Sequence, residues 1–184
     1  RLILKKTPLD GVHVISRNPI FDQRGSFERL FCQETLNEVL FDKTIKQINR
    51  SITNQIGTVR GLHFQRPPSE EIKVVTCLRG AIFDLVLDIR ESSSTFLDYH
   101  AEILTENNKK SILIPAGFAH GFQTLSANCE LLYFHTAEYD ANLEDGLNAT
   151  DPFLKIQWPI AIKNQSERDI GFDMLNSGFE GVKI

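Results

Sequence analysis

Cysteine is scarce in this sequence. The chain has 184 residues and only three cysteines, Cys32, Cys77 and Cys129, which are widely spaced and form no Cys-x-x-Cys pair. This count excludes a small domain held together by disulfides and a cysteine-rich zinc module. Because unpaired thiols are typical of a reducing compartment, we expect a cytoplasmic protein.

Long apolar runs and an excess of positive charge are also missing. The opening segment, RLILKKTPLDG, is interrupted too early for a signal peptide, and no apolar stretch approaches membrane-spanning length. Lysine and arginine together number 20 against 24 aspartate and glutamate residues. This balance provides no broad positive surface for a polyanion. We therefore expect neither a nucleic acid nor a membrane among the partners.

The composition that is present is typical of an ordinary globular domain. Hydrophobic residues make up 41% of the chain and charged residues 24%, and a chain of 184 residues is long enough to bury a real core. No internal repeat, low-complexity tract or linker divides it. We predict a single domain over residues 1–184.

Short β-rich segments recur between turn signals, and this pattern predicts an all-β protein. In AIFDLVLDI, the alternate apolar residues from Ala81 to Ile89 share one face, which we expect to look inward, while Asp84 and Asp88 take the other. QETLNEVL from Gln33 predicts a short peripheral helix. The predicted strands begin at Val12, Phe27, Thr58, Ile72, Ala81, Ser111 and Cys129. A jelly-roll barrel or sandwich with a few short helices is the simplest arrangement, and such barrels hold small ligands inside.

Two histidine segments are similar to the paired motifs of the cupin superfamily: GTVRGLHFQ, residues 57–65, and PAGFAH, residues 115–120. In metal-binding cupins the first motif supplies two histidines, but here Gln65 stands at the second position. His63 and His120 remain, with Glu70 or Glu71 displaced from the usual place. Because a catalytic metal site commonly has three good protein ligands, we expect no metal.

His63 has the strongest functional context of the five histidines. It lies close in sequence to Arg60, Gln65 and Lys73, and an apolar interior has no structural need for so many donors. This favours a functional site over a buried histidine that simply bonds a carbonyl group. His120 follows a Pro-Ala-Gly turn and either contacts substrate or fixes that loop. The other histidines are interpreted as structural or exposed: His13, His100 and His135.

Taken together, these motifs resemble the dTDP-4-dehydrorhamnose 3,5-epimerase family, nucleotide-sugar epimerases of the cupin superfamily, almost from end to end. Arg-Gly-Leu-His-Phe-Gln at 60–65 together with Pro-x-Gly-Phe-Ala-His-Gly-Phe at 115–122 is the most specific part. The resemblance also includes Asp-x-Arg-Gly-x-Phe at 22–27, Gln-x-Asn-x-Ser at 47–51, Lys-Val-Val-x-Cys at 73–77, Asp-x-Arg-x-x-Ser-x-Thr-Phe at 88–96, Trp-Pro at 158–159 and Ser-x-x-Asp at 166–169.

The resemblance implies a cupin-type jelly roll, a double-stranded β-helix, and a cofactor-independent epimerisation. The substrate would be a nucleotide-linked 4-keto-6-deoxy sugar, inverted at C3 and C5 through an enolate. Such a reaction needs a base, a group that holds the enolate, and an acid on the opposite face. By resemblance, His63 is the base, Asp169 its partner carboxylate, Lys73 the enolate-facing cation and Tyr133 the acid. A nearby cation can push the phenol of such an acid toward ionisation.

The resemblance also implies contacts to the nucleotide diphosphate and the sugar. Arg24 and Arg60 match arginines near the pyrophosphate, where a guanidinium suits phosphate oxygens. Phe27 either stacks on the base or fills core. Many thymidine-specific members have a base-contacting glutamate where Arg29 stands, one position after Glu28, so the nucleotide base stays open. The remaining predicted substrate-binding residues are Glu28, Gln47, Asn49, His120, Tyr139, Glu144 and Arg168, the last where the family often has lysine.

Three alternatives remain beside this hypothesis. A C3-only epimerase on the same or another carrier uses the same residues. A metal-dependent cupin enzyme would use His63 and His120, and a non-catalytic sugar-nucleotide-binding cupin would bind without exchanging protons. The resemblance further implies a homodimer, in which we expect the N-terminal segment through Phe31 to cross to the partner.

Overall fold

The computed structural model describes residues 1–176 and 178–184, and most of its regular structure is antiparallel β-sheet. Two short helices, α1 (Gln33–Leu40) and α2 (Glu167–Ile170), and a 3₁₀ turn (Pro152–Leu154) complete it. The strands in chain order are β1 (Leu2–Lys6), β2 (His13–Arg17), β3 (Ile20–Asp22), β4 (Gly25–Phe27), β5 (Gln47–Thr53), β6 (Val59–Gln65), β7 (Lys73–Arg79), β8 (Ala81–Asp88), β9 (Tyr99–Thr105), β10 (Lys110–Ile114), β11 (Phe118–Thr124), β12 (Cys129–His135) and β13 (Glu144–Gly146).

These strands form two main sheets and one separate hairpin. The six-stranded sheet has the order β1-β2-β10-β7-β12-β5, and the five-stranded sheet has the order β13-β6-β11-β8-β9. The hairpin pairs β3 with β4. One apolar cluster draws on both main sheets, with Val75 and Leu131 from the first and Val86 and Phe122 from the second. The sheets therefore face each other across a shared core, and the predicted all-β class with short helices is confirmed.

The predicted strand and helix positions hold, with one exception. QETLNEVL is helical from Gln33 to Leu40, and its apolar side packs Leu36 and Leu40 on the outer face of the six-stranded sheet. The strand predicted from Phe27 is wrong, because β4 ends at that residue. After β4 the chain leaves the hairpin, and Leu30 and Phe31 pack against the same cluster on the outer face of the six-stranded sheet.

The inward face of β8 is the opposite of the one predicted. Ile82 and Val86 point into the core between the sheets, and Asp84, on the same side, bonds to a histidine of β11. Leu85 and Leu87 form a second core with the C-terminal part of the chain. Both faces of this strand are covered, so apolar alternation could not identify the side that faces the partner sheet. Asp84 therefore reaches the interior between the sheets.

A β-bulge at Gly61 arranges the first histidine motif. Opposite β6, His120 pairs with His63 and Phe122 with Arg60, so three steps on β6 match two on β11. Residues three apart on a regular strand face opposite sides, and the bulge lets Arg60 and His63 share one side. Gly61 has a φ of +122°, and a Cβ atom there would lie 2.6 Å from the Gly121 Cα atom. Glycine is therefore required at this point of the motif.

Asp88 organises the loop after β8. Its carboxylate accepts hydrogen bonds from Arg90, Ser93 and Thr95 at 2.6 to 2.9 Å. Burial raises the Asp88 pKa, but these bonds outweigh burial and lower the value to about 2. This explains the Asp-x-Arg-x-x-Ser-x-Thr motif as a structural one.

No helix within the described residues has the length and apolar character needed to cross a lipid bilayer.

Candidate active site

A cavity of about 500 Å³ opens between the two sheets and gathers most of the predicted site residues. Its lining consists largely of polar and charged side chains with a few aromatic rings. They are Gln47, Ile48, Asn49, Arg50, Ser51, Arg60, His63, Phe64, Gln65, Glu71, Lys73, His120, Phe122, Tyr133, His135, Tyr139 and Glu144. A cavity of this size and polarity fits a charged ligand of the size of a sugar nucleotide.

The two walls of the cavity carry different groups. The five-stranded sheet presents His63 from β6 and His120 from β11, which are direct partners across the ladder. The six-stranded sheet presents Lys73 from β7 and Tyr133 from β12. The predicted base and the predicted acid therefore project from opposite walls into one space.

His63 forms a close pair with Asp169. The Nε2 atom of His63 lies 2.7 Å from the Asp169 Oδ1 atom, and Oδ2 accepts a hydrogen bond from the Gly61 backbone N–H at 3.1 Å. Asp169 is held in α2, where the Ser166 hydroxyl accepts from the Asp169 N–H. Burial raises the Asp169 pKa, but the His63 and Gly61 hydrogen bonds outweigh it and lower the pKa overall. The carboxylate stays ionised, so the Nε2 atom of His63 carries the hydrogen directed at it, and Nδ1 is the nitrogen left to accept a proton from a substrate.

Tyr133 lies in the opposite wall with its hydroxyl 3.1 Å from the Ser51 Oγ atom. Burial raises the Tyr133 pKa to about 12, and the Ser51 hydrogen bond and the charge of Arg60 offset only part of that effect. The positive charge of Arg60 does lower the Tyr133 pKa, but burial outweighs it. Tyr133 keeps its proton at neutral pH, which is the state that an acid requires.

Lys73 sits in a buried cluster that sequence reasoning missed. Its Nζ atom lies 3.0 Å from Glu71 Oε1, and the other Glu71 oxygen accepts a 2.6 Å hydrogen bond from His135 Nδ1. Burial raises the Glu71 pKa, but Lys73 and His135 outweigh it and lower the value to about 2. His135 was interpreted as structural or exposed, yet it lines the cavity. The one available signal was its even spacing from Tyr133 on an alternating strand.

His120 is also paired with a carboxylate inside the cavity. Its Nε2 atom lies 2.9 Å from the Oδ2 atom of Asp84, and both residues are buried. The side chain therefore does not fix the Pro-Ala-Gly turn that precedes it. It faces the same space as His63, which leaves substrate contact as the interpretation that the geometry favours.

The predicted substrate contacts divide into two groups. Most lie at the cavity: Gln47, Asn49, Arg60, His120, Tyr139 and Glu144 line it. Arg168 stands behind the lining, with its Nη1 atom 2.8 Å from Glu144 Oε2. The Tyr139 hydroxyl donates to the same Glu144 oxygen at 2.9 Å. Glu144 thus joins Arg168 and Tyr139 into one polar rim.

The second group lies on or beside the β3–β4 hairpin. Arg24 is exposed and pairs with Asp22 on its own hairpin, and the ring of Phe27 is 74% exposed, so it does not fill core. Within the described residues, the cavity lining includes neither side chain, and Glu28 is absent from it as well. Glu28 instead lies 3.1 Å from the buried Arg17 guanidinium and serves as its counter-ion. A buried arginine needs such a charge, and substrate contact by Glu28 stays a prediction.

Gln65 explains why the first cupin motif departs from the metal-binding pattern. Its amide nitrogen donates to the carbonyl groups of Ser69 and Glu138, and its oxygen accepts from the Asp140 N–H. The residue therefore holds two loops at the cavity edge. In the part of the chain that the structure describes, no group of three or more His, Cys, Asp or Glu side chains is arranged to hold a metal ion. The described residues therefore offer no ligand set for a metal-dependent cupin enzyme.

Known proteins match this chain over most of its length. A family model described as dTDP-4-dehydrorhamnose 3,5-epimerase matches residues 6–177. The dTDP-4-dehydrorhamnose 3,5-epimerase of Sinorhizobium fredii is 40% identical over 148 residues, covering 80% of this chain and 76% of that protein. The dTDP-4-dehydrorhamnose 3-epimerase of Streptomyces niveus is 32% identical over 167 residues, covering 90% of this chain and 80% of that protein.

A solved structure has the same fold. The dTDP-6-deoxy-D-glucose-3,5-epimerase of Legionella pneumophila, in complex with dTDP-4-keto-L-rhamnose, superposes with a TM-score of 0.90 at 34% identity. The match covers 97% of this chain and 95% of that one. This likeness confirms the predicted cupin-type jelly roll.

Proposed function

The chain belongs to the dTDP-4-dehydrorhamnose 3,5-epimerase family, and from this premise we propose that it inverts C3 and C5 of dTDP-4-keto-6-deoxyglucose without a cofactor. It is an epimerase of dTDP-sugars, an isomerase that serves rhamnose formation. The residue roles are our proposal. His63 is the base, Asp169 its orienting carboxylate, Lys73 the cation for the enolate and Tyr133 the acid.

The observation that carries this proposal is the placement of His63 and Tyr133 on opposite walls of one cavity. A carbon next to a ketone inverts only when its proton leaves from one face and another arrives at the opposite face. A base and an acid on the same wall would exchange the proton without inversion. The arrangement in this chain supplies both faces.

The proton transfers balance through these groups. His63 Nδ1 takes the proton from C3 or C5, the bonding pair moves to the C4 carbonyl, and the oxygen becomes an enolate. Asp169, 2.7 Å from Nε2, stabilises the imidazolium that forms. The Lys73 ammonium offers positive charge to the enolate oxygen. The Tyr133 hydroxyl then donates a proton to the opposite face, and the electron pair returns to form the C–H bond.

Product analysis tests this proposal against a C3-only epimerase, the activity in the name of the Streptomyces niveus relative. We expect that incubation with dTDP-4-keto-6-deoxyglucose, followed by borohydride reduction and hydrolysis, releases L-rhamnose and 6-deoxy-L-talose. Release of 6-deoxy-D-allose and 6-deoxy-D-gulose would show inversion at C3 alone. Recovery of only D-quinovose and D-fucose, while a CDP-, GDP- or UDP-linked analogue is converted, would contradict the dTDP carrier.

We further propose a homodimer in which the hairpin β3–β4 completes the partner's cavity. Ile20, Phe21 and Phe27 are each at least 70% exposed on this hairpin, a large apolar surface for three residue positions. Arg24 stands beside them with its guanidinium directed to solvent and to Asp22. Analytical ultracentrifugation is expected to give a dimer, and Arg24→Ala to weaken dTDP binding. A fully active monomer at micromolar concentration would contradict this arrangement.

The chain order supports a single domain over residues 1–184. Successive strands β5 to β8 alternate between the six-stranded and five-stranded sheets, so no single cut of the chain separates the two sheets.

We also propose a cytoplasmic location. The three cysteines are unpaired, which suits a reducing compartment.

A further inference from the structure

We propose that Glu71 and His135 are positioning residues that hold the Lys73 ammonium at the cavity wall for the enolate, an inference that rests on the proposed function. Both side chains line the cavity, but the proposed base and acid are His63 and Tyr133. Both act through Lys73, Glu71 directly and His135 through Glu71.

The three side chains come together from two adjacent strands and the loop before them. Lys73 and His135 are direct partners across the ladder between β7 and β12. Glu71 precedes β7 by two residues, and its carboxylate bridges the pair, 3.0 Å from Lys73 Nζ and 2.6 Å from His135 Nδ1. Each carboxylate oxygen therefore has one charged or polar partner.

The hydrogen bonds around this cluster run in one direction. The Tyr139 N–H donates to the Gln47 oxygen, and the Gln47 amide donates to the Asn49 oxygen, both at 3.1 Å. The Asn49 amide donates to His135 Nε2 at 3.5 Å, which leaves Nδ1 to donate to Glu71. Contacts at both ring nitrogens fix the orientation of the imidazole ring. The chain of bonds ends at the Lys73 counter-ion.

Burial makes this counter-ion necessary. The Lys73 side chain is only 9% exposed, and a buried ammonium without an anion tends to lose its proton. Glu71 keeps its negative charge at all ordinary pH values, because Lys73 and His135 lower its pKa to about 2 despite the opposing effect of burial. One N–H of the ammonium is directed to Glu71, and the others are available to a ligand in the cavity. The cluster thus gives the Lys73 side chain a buried counter-ion and fixes its position at the cavity wall.

Two variants of His135 separate positioning from packing. Asparagine places an amide N–H near the position of Nδ1, so His135→Asn retains the donor to Glu71, whereas His135→Leu fills the volume without a donor. We expect kcat for deuterium exchange at C3 and C5 to fall roughly 10- to 100-fold in His135→Leu and much less in His135→Asn, with KM little changed. A residue that only fills space would give the reverse order.

A double-mutant cycle tests the path through Lys73. Glu71→Gln is expected to lower kcat about as much as His135→Leu, and to add little further loss in a Lys73→Met background. Glu70→Gln is the matched control, because Glu70 is the neighbouring residue and pairs only loosely with Lys43, at 3.9 Å. Binding of dTDP, measured by calorimetry, should be unchanged in all of these variants.

The outcomes distinguish this inference from the function on which it rests. If the wild-type chain exchanges no deuterium, the proposed function fails and the inference fails with it. If the wild type is active but His135→Leu retains full kcat, or Glu71→Gln lowers kcat equally with and without Lys73, the inference alone is overturned.

Discussion

Replacement of His63 with alanine is expected to lower deuterium incorporation at both C3 and C5 by roughly 10²- to 10⁴-fold. His63 lines the cavity, and Nδ1 is the ring nitrogen left to accept a proton, because Nε2 pairs with Asp169 at 2.7 Å. Without the ring, neither carbon loses its proton at a useful rate. One histidine serves both positions, so the two exchange rates should fall together. The measurement is proton NMR of the sugar nucleotide in deuterium oxide.

We expect His63→Ala to impair proton transfer and to leave nucleotide binding intact. The imidazole does not face phosphate groups in this proposal, so the dTDP affinity of His63→Ala should stay close to that of the wild type. His13→Ala is a matched control, because His13 lies on β2 and bonds the Gly11 carbonyl group, outside the cavity lining. Exchange retained in His63→Ala would remove this residue from the role of base.

Replacement of Tyr133 with phenylalanine is expected to separate exchange from inversion. His63 can still remove a proton and return a deuteron to the same face, so label should continue to enter unconverted substrate. Inverted product should fall by roughly 10²- to 10⁴-fold, because the opposite wall has lost its acid. Burial raises the Tyr133 pKa to about 12, so the phenol stays protonated across neutral pH. Inversion should therefore show no loss from tyrosine ionisation between pH 6 and about 10.

A second tyrosine provides the control for this variant. Tyr99 accepts a hydrogen bond from the Gln157 N–H at 3.3 Å, on the side of the five-stranded sheet away from the cavity. Tyr99→Phe should leave both exchange and inversion unchanged. Inverted product formed by Tyr133→Phe at the wild-type rate would assign the acid to another group.

Sequence reasoning reached the fold because turn signals and apolar segments mark the strands. It misplaced the inward face of β8, since both faces of that strand are covered. Asp84, on the face that was predicted to point outward, pairs with His120 in the interior. Sequence reasoning also extended a strand beyond Phe27, where apolar side chains pack on the outer sheet face instead. Local pattern shows that a residue is buried, but it does not show which layer buries it.

Local sequence pattern also failed to identify which side chains of the site become partners. The histidine motif was visible because Arg60, Gly61 and His63 are close in sequence, although the bulge that aligns them was not. Glu71 and His135 are 64 residues apart and became partners only when β7 and β12 paired. The high Tyr133 pKa likewise depends on burial that no local sequence signal reports.

The most direct measurement of the central claim is the conversion of dTDP-4-keto-6-deoxyglucose by the wild-type chain in deuterium oxide, followed at C3 and C5 by NMR. Opposed proton transfers from His63 and Tyr133 predict that every inverted carbon carries deuterium, at both positions, and that no label enters without enzyme. Inverted product that retains its original protium at C3 and C5 would contradict the account, because the proton would then never have left for a solvent-exchangeable group.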